Sequence, residues 1–140
     1  MKFLDSSVFL HAFLRPRRKL KPEEEMLKKR AKKIIERIDS SDEYVLTTVI
    51  HVSELVNMIE SWLGLRESLS VLARLLSLRN ISIVEVSERD YEEALTISIH
   101  YKVSVNDAIA YLKMKENNVN EIYTFDKHFK NLPGIKIRQE

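Results

Sequence analysis

The 140-residue sequence contains no cysteine, and this absence excludes several kinds of site. Disulfide frameworks, thiolate nucleophiles, zinc ribbons and iron–sulfur clusters all depend on cysteine. Glycine occurs only at Gly64 and Gly134, so the chain has neither a GxGxxG fingerprint nor a Walker-type phosphate loop. No apolar run approaches the roughly 18 residues of a membrane span, and Asp5 interrupts any signal-peptide core. We therefore expect a cytoplasmic protein with no membrane partner.

The composition is that of a single globular domain. Hydrophobic residues make up 44% of the chain and charged residues 31%, which is typical of a folded protein rather than a disordered one. A length of 140 residues is that of one ordinary domain. We expect one domain over residues 1–140, with a core large enough to need no disulfide.

The formal net charge of +2 hides an uneven distribution along the chain. Residues 15–37 contain eleven basic and four acidic residues, a local charge of +7, so the remainder carries −5. Two interpretations stay open: a solvated loop and helix face, or a surface that binds a phosphodiester backbone. In the second interpretation, the candidate RNA-backbone contacts are Arg15, Arg17, Arg18, Lys19 and Lys21.

Short β-branched or apolar stretches alternate with helical periodicity along the chain. Strands are predicted at residues 2–4, 44–47, 81–86 and 122–125, with a short edge strand at 135–137. Between them, helices are predicted to begin at caps formed by Ser6 or Ser7, Thr47 or Thr48, Ser87 and Ser104. Parallel neighbouring strands need crossover connections. The pattern therefore predicts an α/β fold, a three-layer α/β/α sandwich around a small central parallel sheet of four to five strands.

The helix after the second predicted strand has a clear apolar stripe. Its members are Val52, Leu55, Val56, Ile59 and Leu63, and the stripe is interrupted at Gly64. Trp62 lies on the same stripe and is expected in the core.

Four acidic residues from distant parts of the chain are expected at one edge of this sheet. Asp5 follows the first predicted strand and Asp126 the fourth. Glu54 lies about two turns into the helix after the second strand, and Asp107 lies in the first turn of the helix capped by Ser104. Ligands of open parallel sheets bind beyond the carboxyl ends of the strands. These four carboxylates are therefore the candidate catalytic and metal-binding residues.

Each of these acids also has a structural explanation when it is taken singly. Asp107 is three residues after Ser104, as in a helix cap, and Asp5 and Asp126 can stabilise turns. However, the residues one helical turn from Asp107 and Glu54 include no lysine or arginine. Carboxylates that converge without cationic partners repel one another, and a hard divalent cation resolves that repulsion. A set of oxygen ligands favours Mg²⁺ or Mn²⁺ over zinc.

The histidines form no established metal motif. His51-Val52-Ser53-Glu54 is an isolated HxxE pattern, and no HExxH is present. His128 lies close to Asp126 in the sequence and is expected in a surface or packing role.

Four segments of the chain resemble the acidic motifs of PIN domains. They are Asp5-Ser6-Ser7, Glu54 within residues 48–55, Asn106-Asp107-Ala108-Ile109-Ala110, and Thr124-Phe125-Asp126-Lys127-His128-Phe129. The ending Asn131-Leu132-Pro133-Gly134-Ile135 is also similar to the tail of the VapC-type toxin branch of this family. A single Asp-Ser-Ser is not evidence for the family. The four motifs, however, occur in the family's order and span nearly the whole chain.

The resemblance implies a metal-dependent ribonuclease that hydrolyses RNA phosphodiester bonds, as the toxin of a type II toxin–antitoxin pair. Carried over by position, it implies Mg²⁺ (or Mn²⁺) held chiefly by Asp5 and Asp107. Glu54 and Asp126 would complete the acidic pocket, often through water. The implied partners are an RNA substrate, an antitoxin protein and a second copy of the chain.

The resemblance also assigns supporting roles and leaves alternatives. Ser7 and Thr124 match small polar positions that hydrogen-bond near the metal or position the substrate. A phosphatase of the haloacid dehalogenase type would need an aspartate where Ser7 stands, and a receiver domain would need an acidic pair near the N-terminus. Within the family, an RNA-processing nuclease outside a toxin–antitoxin system and a non-catalytic module that binds RNA or protein remain open.

Overall fold

The computed structural model describes residues 1–13 and 16–140, so the candidate RNA contact at Arg15 and the predicted helix end near Leu14 lie outside it. The strands are β1 (Lys2–Leu4), β2 (Val45–Thr48), β3 (Ile81–Val84), β4 (Glu121–Tyr123) and β5 (Lys136–Arg138). They form one sheet in the order β3-β2-β1-β4-β5, and each neighbouring pair is parallel. The predicted parallel sheet is therefore confirmed, with five strands.

Helices connect these strands, and their starts follow from local chemistry. They are α1 (Ser7–Phe13), α2 (Pro22–Asp39), α3 (Val49–Leu63), α4 (Leu65–Ser77), α5 (Glu88–Tyr101) and α6 (Val105–Glu116). Thr48, Ser87 and Ser104 accept hydrogen bonds from the first free backbone N–H groups of α3, α5 and α6. The predicted caps of these three helices are confirmed, and Thr48 rather than Thr47 caps α3.

The two faces of the sheet bury separate apolar cores. Successive side chains of a strand point to opposite faces. Accordingly, Phe3 packs with residues of α5 and α6, whereas Leu4 packs with residues of α1 to α4. This arrangement is the expected α/β/α sandwich. No helix within the described residues is long and apolar enough to cross a membrane.

The buried face of α3 differs from the predicted stripe. Its buried residues are His51, Leu55 and Ile59, whereas Trp62 is 37% exposed and Leu63 is 44% exposed. The expectation that Trp62 is a core residue is therefore wrong. Periodicity along one helix cannot show which of its apolar residues the neighbouring helices cover. In α3 the covered face is the one that contains His51.

The fourth strand ends earlier than predicted, and this changes the position of the last acidic residue. Because β4 ends at Tyr123, Asp126 lies in the segment that leaves the sheet. The Asp126 side chain accepts a hydrogen bond from the backbone N–H of His128 and caps a short 3-10 helix at Lys127–Asn131. β3 likewise ends at Val84, two residues earlier than predicted.

Candidate active site

The four predicted acids line one open pocket at the carboxyl edge of the sheet. Asp5 directly follows β1, and its backbone N–H donates to the Tyr123 carbonyl of β4. Glu54 reaches the same place from the second turn of α3, and Asp107 from the first turn of α6. The pocket has a volume of about 520 Å³ and is lined by Asp5, Ser6, Ser7, Leu10, Glu54, Asn57, Met58, Ser104, Asp107 and Asp126.

Two hydroxyl groups hold the buried carboxylate of Asp5. Ser7 Oγ and Thr124 Oγ1 donate to Asp5 Oδ2 at 2.6 and 2.8 Å. These two hydroxyls in turn accept from the backbone N–H groups of Phe125 and Asp126. Each hydroxyl has one proton, and both protons are used on the same oxygen, so the orientation of the Asp5 carboxylate is set. Its other oxygen, Oδ1, accepts from neither hydroxyl.

Asp107 is a buried carboxyl group of the pocket with a raised pKa. Its side chain is 6% exposed, and Oδ2 has no hydrogen-bond partner within the described residues. Burial, followed by the charges of Asp126 and Asp5, raises the pKa of Asp107 to about 7. A buried oxygen without a partner is costly in a native protein. This atom is therefore suited to bind a cation.

Glu54 and Asp126 are the less buried acids of the pocket. Ser6 Oγ donates to Glu54 Oε1 at 3.2 Å, which connects the start of α1 to α3. Asp126 Oδ1 lies 3.0 Å from His128 Nδ1. Within residues 1–13 and 16–140, no lysine or arginine forms an ion pair with any of the four carboxylates. The negative charge of the pocket is thus not neutralised by these side chains.

This donor set fits a hard divalent cation. Asp107, Asp126 and His128 each offer one ligand atom, and these atoms lie within 4.8 Å of one another. The family resemblance instead implied Asp5 and Asp107 as the chief ligands. Asp5 lines the same pocket but is outside this closest set. Mg²⁺ retains several waters and contacts carboxylates either directly or through those waters. Such an ion is therefore compatible with either ligand set, Asp5 with Asp107 or Asp107 with Asp126 and His128.

The four candidate RNA contacts that the structure describes are exposed, but they do not line the pocket. Arg18 forms a two-pronged ion pair with Glu24, both N···O distances being 2.8 Å. Lys21 is the N-terminal cap residue of α2. Arg17 and Lys19 are exposed on the loop before α2. The part of the basic segment that the structure describes therefore does not line the acidic pocket. Two of its arginines already form ion pairs, Arg18 with Glu24 and Arg37 with Glu43.

His51, which belongs to no established metal motif in the sequence, lies beside Asp5 in the structure. His51 is 3% exposed, and its Nε2 lies 3.9 Å from Asp5 Oδ1. Burial lowers the pKa of His51, while the nearby charges of Asp5 and Glu54 oppose that shift. A usable signal was present, since positions 51, 55 and 59 form a four-residue repeat along one helix face.

Comparison with known proteins agrees with this architecture. The PIN domain family model matches residues 2–135. No curated protein matches the chain significantly. A similar crystal structure is that of VapC20 from Mycobacterium tuberculosis, described as a Sarcin-Ricin loop cleaving toxin, with TM-score 0.74, 20% identity and coverage of 99% of both chains.

Two toxin–antitoxin structures are also similar. A complex from Klebsiella pneumoniae has TM-score 0.65 and 16% identity, covering 100% of this chain and 98% of that one. VapBC2 from Rickettsia felis, bound to a promoter DNA fragment, has TM-score 0.62 and 16% identity, covering 98% and 96%. At these identities, the three likenesses concern the fold.

Proposed function

The chain belongs to the PIN domain family, and from this premise we propose that it is a divalent-metal-dependent endoribonuclease, the toxin of a type II toxin–antitoxin pair. In this proposal residues 1–140 act as one domain in the cytoplasm. The observation that carries the proposal is the pocket with four acids, in which Asp107 Oδ2 is buried without a partner.

The proposed cofactor is Mg²⁺ or Mn²⁺, held by Asp5 and Asp107 with Asp126 and Glu54 completing the pocket. When bound, such an ion lowers the pKa of a water molecule and neutralises charge on the phosphoryl oxygens. The carboxylates that line the pocket are all oxygen donors, which supports these ions over softer metals. His128, next to Asp126, adds one nitrogen at the exposed side of the site.

The chain's own residues have distinct tasks in the proposed hydrolysis. Ser7 and Thr124 keep the Asp5 carboxylate in one orientation through their hydroxyl protons. Ser6 restrains Glu54 by donating from its hydroxyl to Oε1. Glu54 or Asp126 accepts the proton of the attacking water, because these are the less buried acids.

The proposed substrate is RNA and the proposed regulator is an antitoxin protein. Similar structures that cover 96 to 100% of each chain include a Sarcin-Ricin loop cleaving toxin and two toxin–antitoxin complexes, which supports both assignments. The acidic pocket repels phosphate when no cation is bound, so backbone affinity must come from elsewhere. The exposed side chains of Arg17 and Lys19, with the basic face of α2, support that role.

The proposal includes a homodimer. α4 ends before edge strand β3 and α5 follows it, and both helices expose large apolar side chains. These residues are 40 to 71% exposed and are spaced by whole turns along each helix: Leu65, Leu69 and Leu76 on α4, and Tyr91, Leu95 and Ile99 on α5. Exposed apolar surface of this kind supports an interface between copies.

The function is tested with purified protein on labelled RNA, with Mg²⁺ or Mn²⁺ and with a chelator. Cleavage should require the metal and should be abolished in Asp107→Asn. Glu54→Gln should reduce the rate by about 100-fold or more. Glu60→Gln is the matched control, because Glu60 is an exposed residue on the same helix. An active Asp107→Asn variant would refute the assignment of the site.

The toxin assignment has its own test in cells. Expression of the wild-type chain should arrest growth, and expression of Asp107→Asn at the same level should not. RNA cleavage in vitro without growth arrest would favour an RNA-processing nuclease over a toxin.

A further inference from the structure

His51 is a buried polar residue that the acidic site, as described above, does not use. It lies in the first turn of α3, and its ring packs edge-on against Phe3 at a centroid distance of 5.0 Å. The Nε2 atom has no hydrogen-bond partner within the described residues. Buried side-chain nitrogens in native proteins nearly always have a partner, so a partner for this atom has to be sought.

The hydrogen bonds of Thr48 determine which nitrogen of His51 carries the proton. Thr48 Oγ1 accepts from the backbone N–H groups of Ile50 and His51 at 3.1 and 3.2 Å. A hydroxyl oxygen has two lone pairs, and both are used. The remaining contact, 2.7 Å from Thr48 Oγ1 to His51 Nδ1, must therefore use the hydroxyl proton, with Nδ1 as acceptor. The neutral ring then carries its proton on Nε2.

The Nε2–H group has one evident acceptor. Asp5 Oδ1 is 3.9 Å away, which is too long for a hydrogen bond. Asp5 Oδ2 is already occupied by two hydroxyl donors, so Oδ1 is the oxygen with free acceptor capacity. A carboxylate oxygen has two lone pairs and can accept from an N–H group while it also contacts a cation.

We propose that His51 is a positioning residue for the metal site, donating from Nε2–H to Asp5 Oδ1 when Asp5 binds the divalent cation. This inference rests on the proposed function, because it assumes a cation beside Asp5. Together, Ser7, Thr124 and His51 restrain both oxygens of one carboxylate. Thr48 has two roles in this arrangement, since one hydroxyl caps α3 and selects the histidine tautomer.

A purely structural role for His51 makes different predictions. If the ring only fills space against Phe3, an apolar side chain of similar size will leave metal affinity unchanged. If it positions Asp5, removal of the donor lowers the affinity by about 10-fold, the lower end of the effect of removing a hydrogen bond to a metal ligand. Glutamine restores an N–H donor at the end of a side chain of similar reach, so His51→Gln should recover most of the affinity.

The tautomer and the hydrogen bond are tested on the folded wild-type protein by NMR with ¹⁵N-labelled histidine. The His51 signal is assigned from its loss in His51→Gln. In the metal-free protein at neutral pH the imidazole proton should be on Nε2. Addition of diamagnetic Mg²⁺ should shift the NMR resonance of that proton downfield, because the proton becomes hydrogen-bonded. A proton on Nδ1, or a His51 signal that does not respond while other pocket signals do, would overturn the inference.

The affinity arm measures Mn²⁺ binding by calorimetry for wild type, His51→Leu, His51→Gln and His100→Leu. His100 is exposed on α5, so its variant is the control for the same substitution. Wild type and His100→Leu should bind equally, His51→Leu about 10-fold more weakly, and His51→Gln within about 3-fold of wild type. If His51→Leu binds Mn²⁺ as tightly as wild type, the positioning role of His51 is refuted and the proposed metal site is not affected. If wild type does not bind Mn²⁺, the proposed metal site itself is refuted. If His51→Leu does not fold, the NMR result and the His51→Gln affinity decide.

Discussion

Replacing Asp107 by asparagine should make the metal-free protein more stable above pH 7. Burial and the charges of Asp126 and Asp5 raise the pKa of Asp107 from its ordinary value of 3.8 to about 7. The folded state therefore holds the Asp107 proton more strongly than the unfolded state does. The stability that this proton contributes is fully present below pH 3.8 and is lost as the pH rises toward 7. A difference of about three pKa units corresponds to a loss on the order of 4 kcal/mol above pH 7.

Urea unfolding at several pH values with a chelator measures this effect. Wild-type stability should fall between about pH 4 and 8, and the curve of Asp107→Asn should be flatter across the same range. At pH 8 the variant should melt higher, by up to about 10 °C for a chain of this size. Millimolar Mg²⁺ should raise the melting temperature of wild type and leave that of the variant unchanged.

Asp42→Asn is the matched control, because Asp42 is exposed and outside the acidic pocket. It should follow the wild-type pH dependence. The interpretation of Asp107 as a buried carboxylate without a compensating charge is wrong in either of two cases. One is that the free energy of unfolding of metal-free wild type does not fall as the pH rises, and the other is that it falls by the same amount in Asp107→Asn.

Three further predictions concern the surroundings of the pocket and the outer surfaces. Ser7→Ala should weaken Mn²⁺ binding and destabilise the protein by about 2 kcal/mol, because Asp5 Oδ2 loses a donor and the partly buried Phe125 N–H loses its acceptor. Ser53→Ala, at an exposed position of α3, should do neither. The double variant Arg17→Ala/Lys19→Ala should lower RNA affinity and, with two cations removed, reduce the slope of log affinity against log salt by about 1.4 to 1.8. Its Mn²⁺ affinity should be unchanged, and an unchanged RNA affinity would mean that these two side chains do not contact RNA. Leu95→Asp should convert a dimer to a monomer by light scattering, and a dimer that persists would place the interface elsewhere.

Much of the architecture could be predicted from local patterns. The β-branched stretches marked the strands, and polar residues such as Ser87 and Ser104 marked the helix starts, because capping depends on the nearest few residues. Parallel order followed from the alternation of strands and helices. Since parallel strands end at one edge, the convergence of Asp5 and Asp126 near the starts of α3 and α6 could also be inferred from sequence.

Other features depended on contacts between distant segments. Thr124 reaches Asp5 across 119 positions of the chain, and neither its hydroxyl proton nor that of Ser7 can be assigned without the neighbouring backbone N–H groups. The raised pKa of Asp107 reflects burial by other elements and two remote charges.

The amino-acid sequence by itself determined the element order, the caps and the edge at which the acids meet, because these depend on short-range periodicity and chain direction. Only the tertiary structure decided that Trp62 is partly exposed, that His51 is buried and faces Asp5, and that Asp126 leaves the sheet to cap a short helix. Which side of a helix is covered, and which atoms of a carboxylate remain unpaired, depends on neighbours that are remote in the sequence.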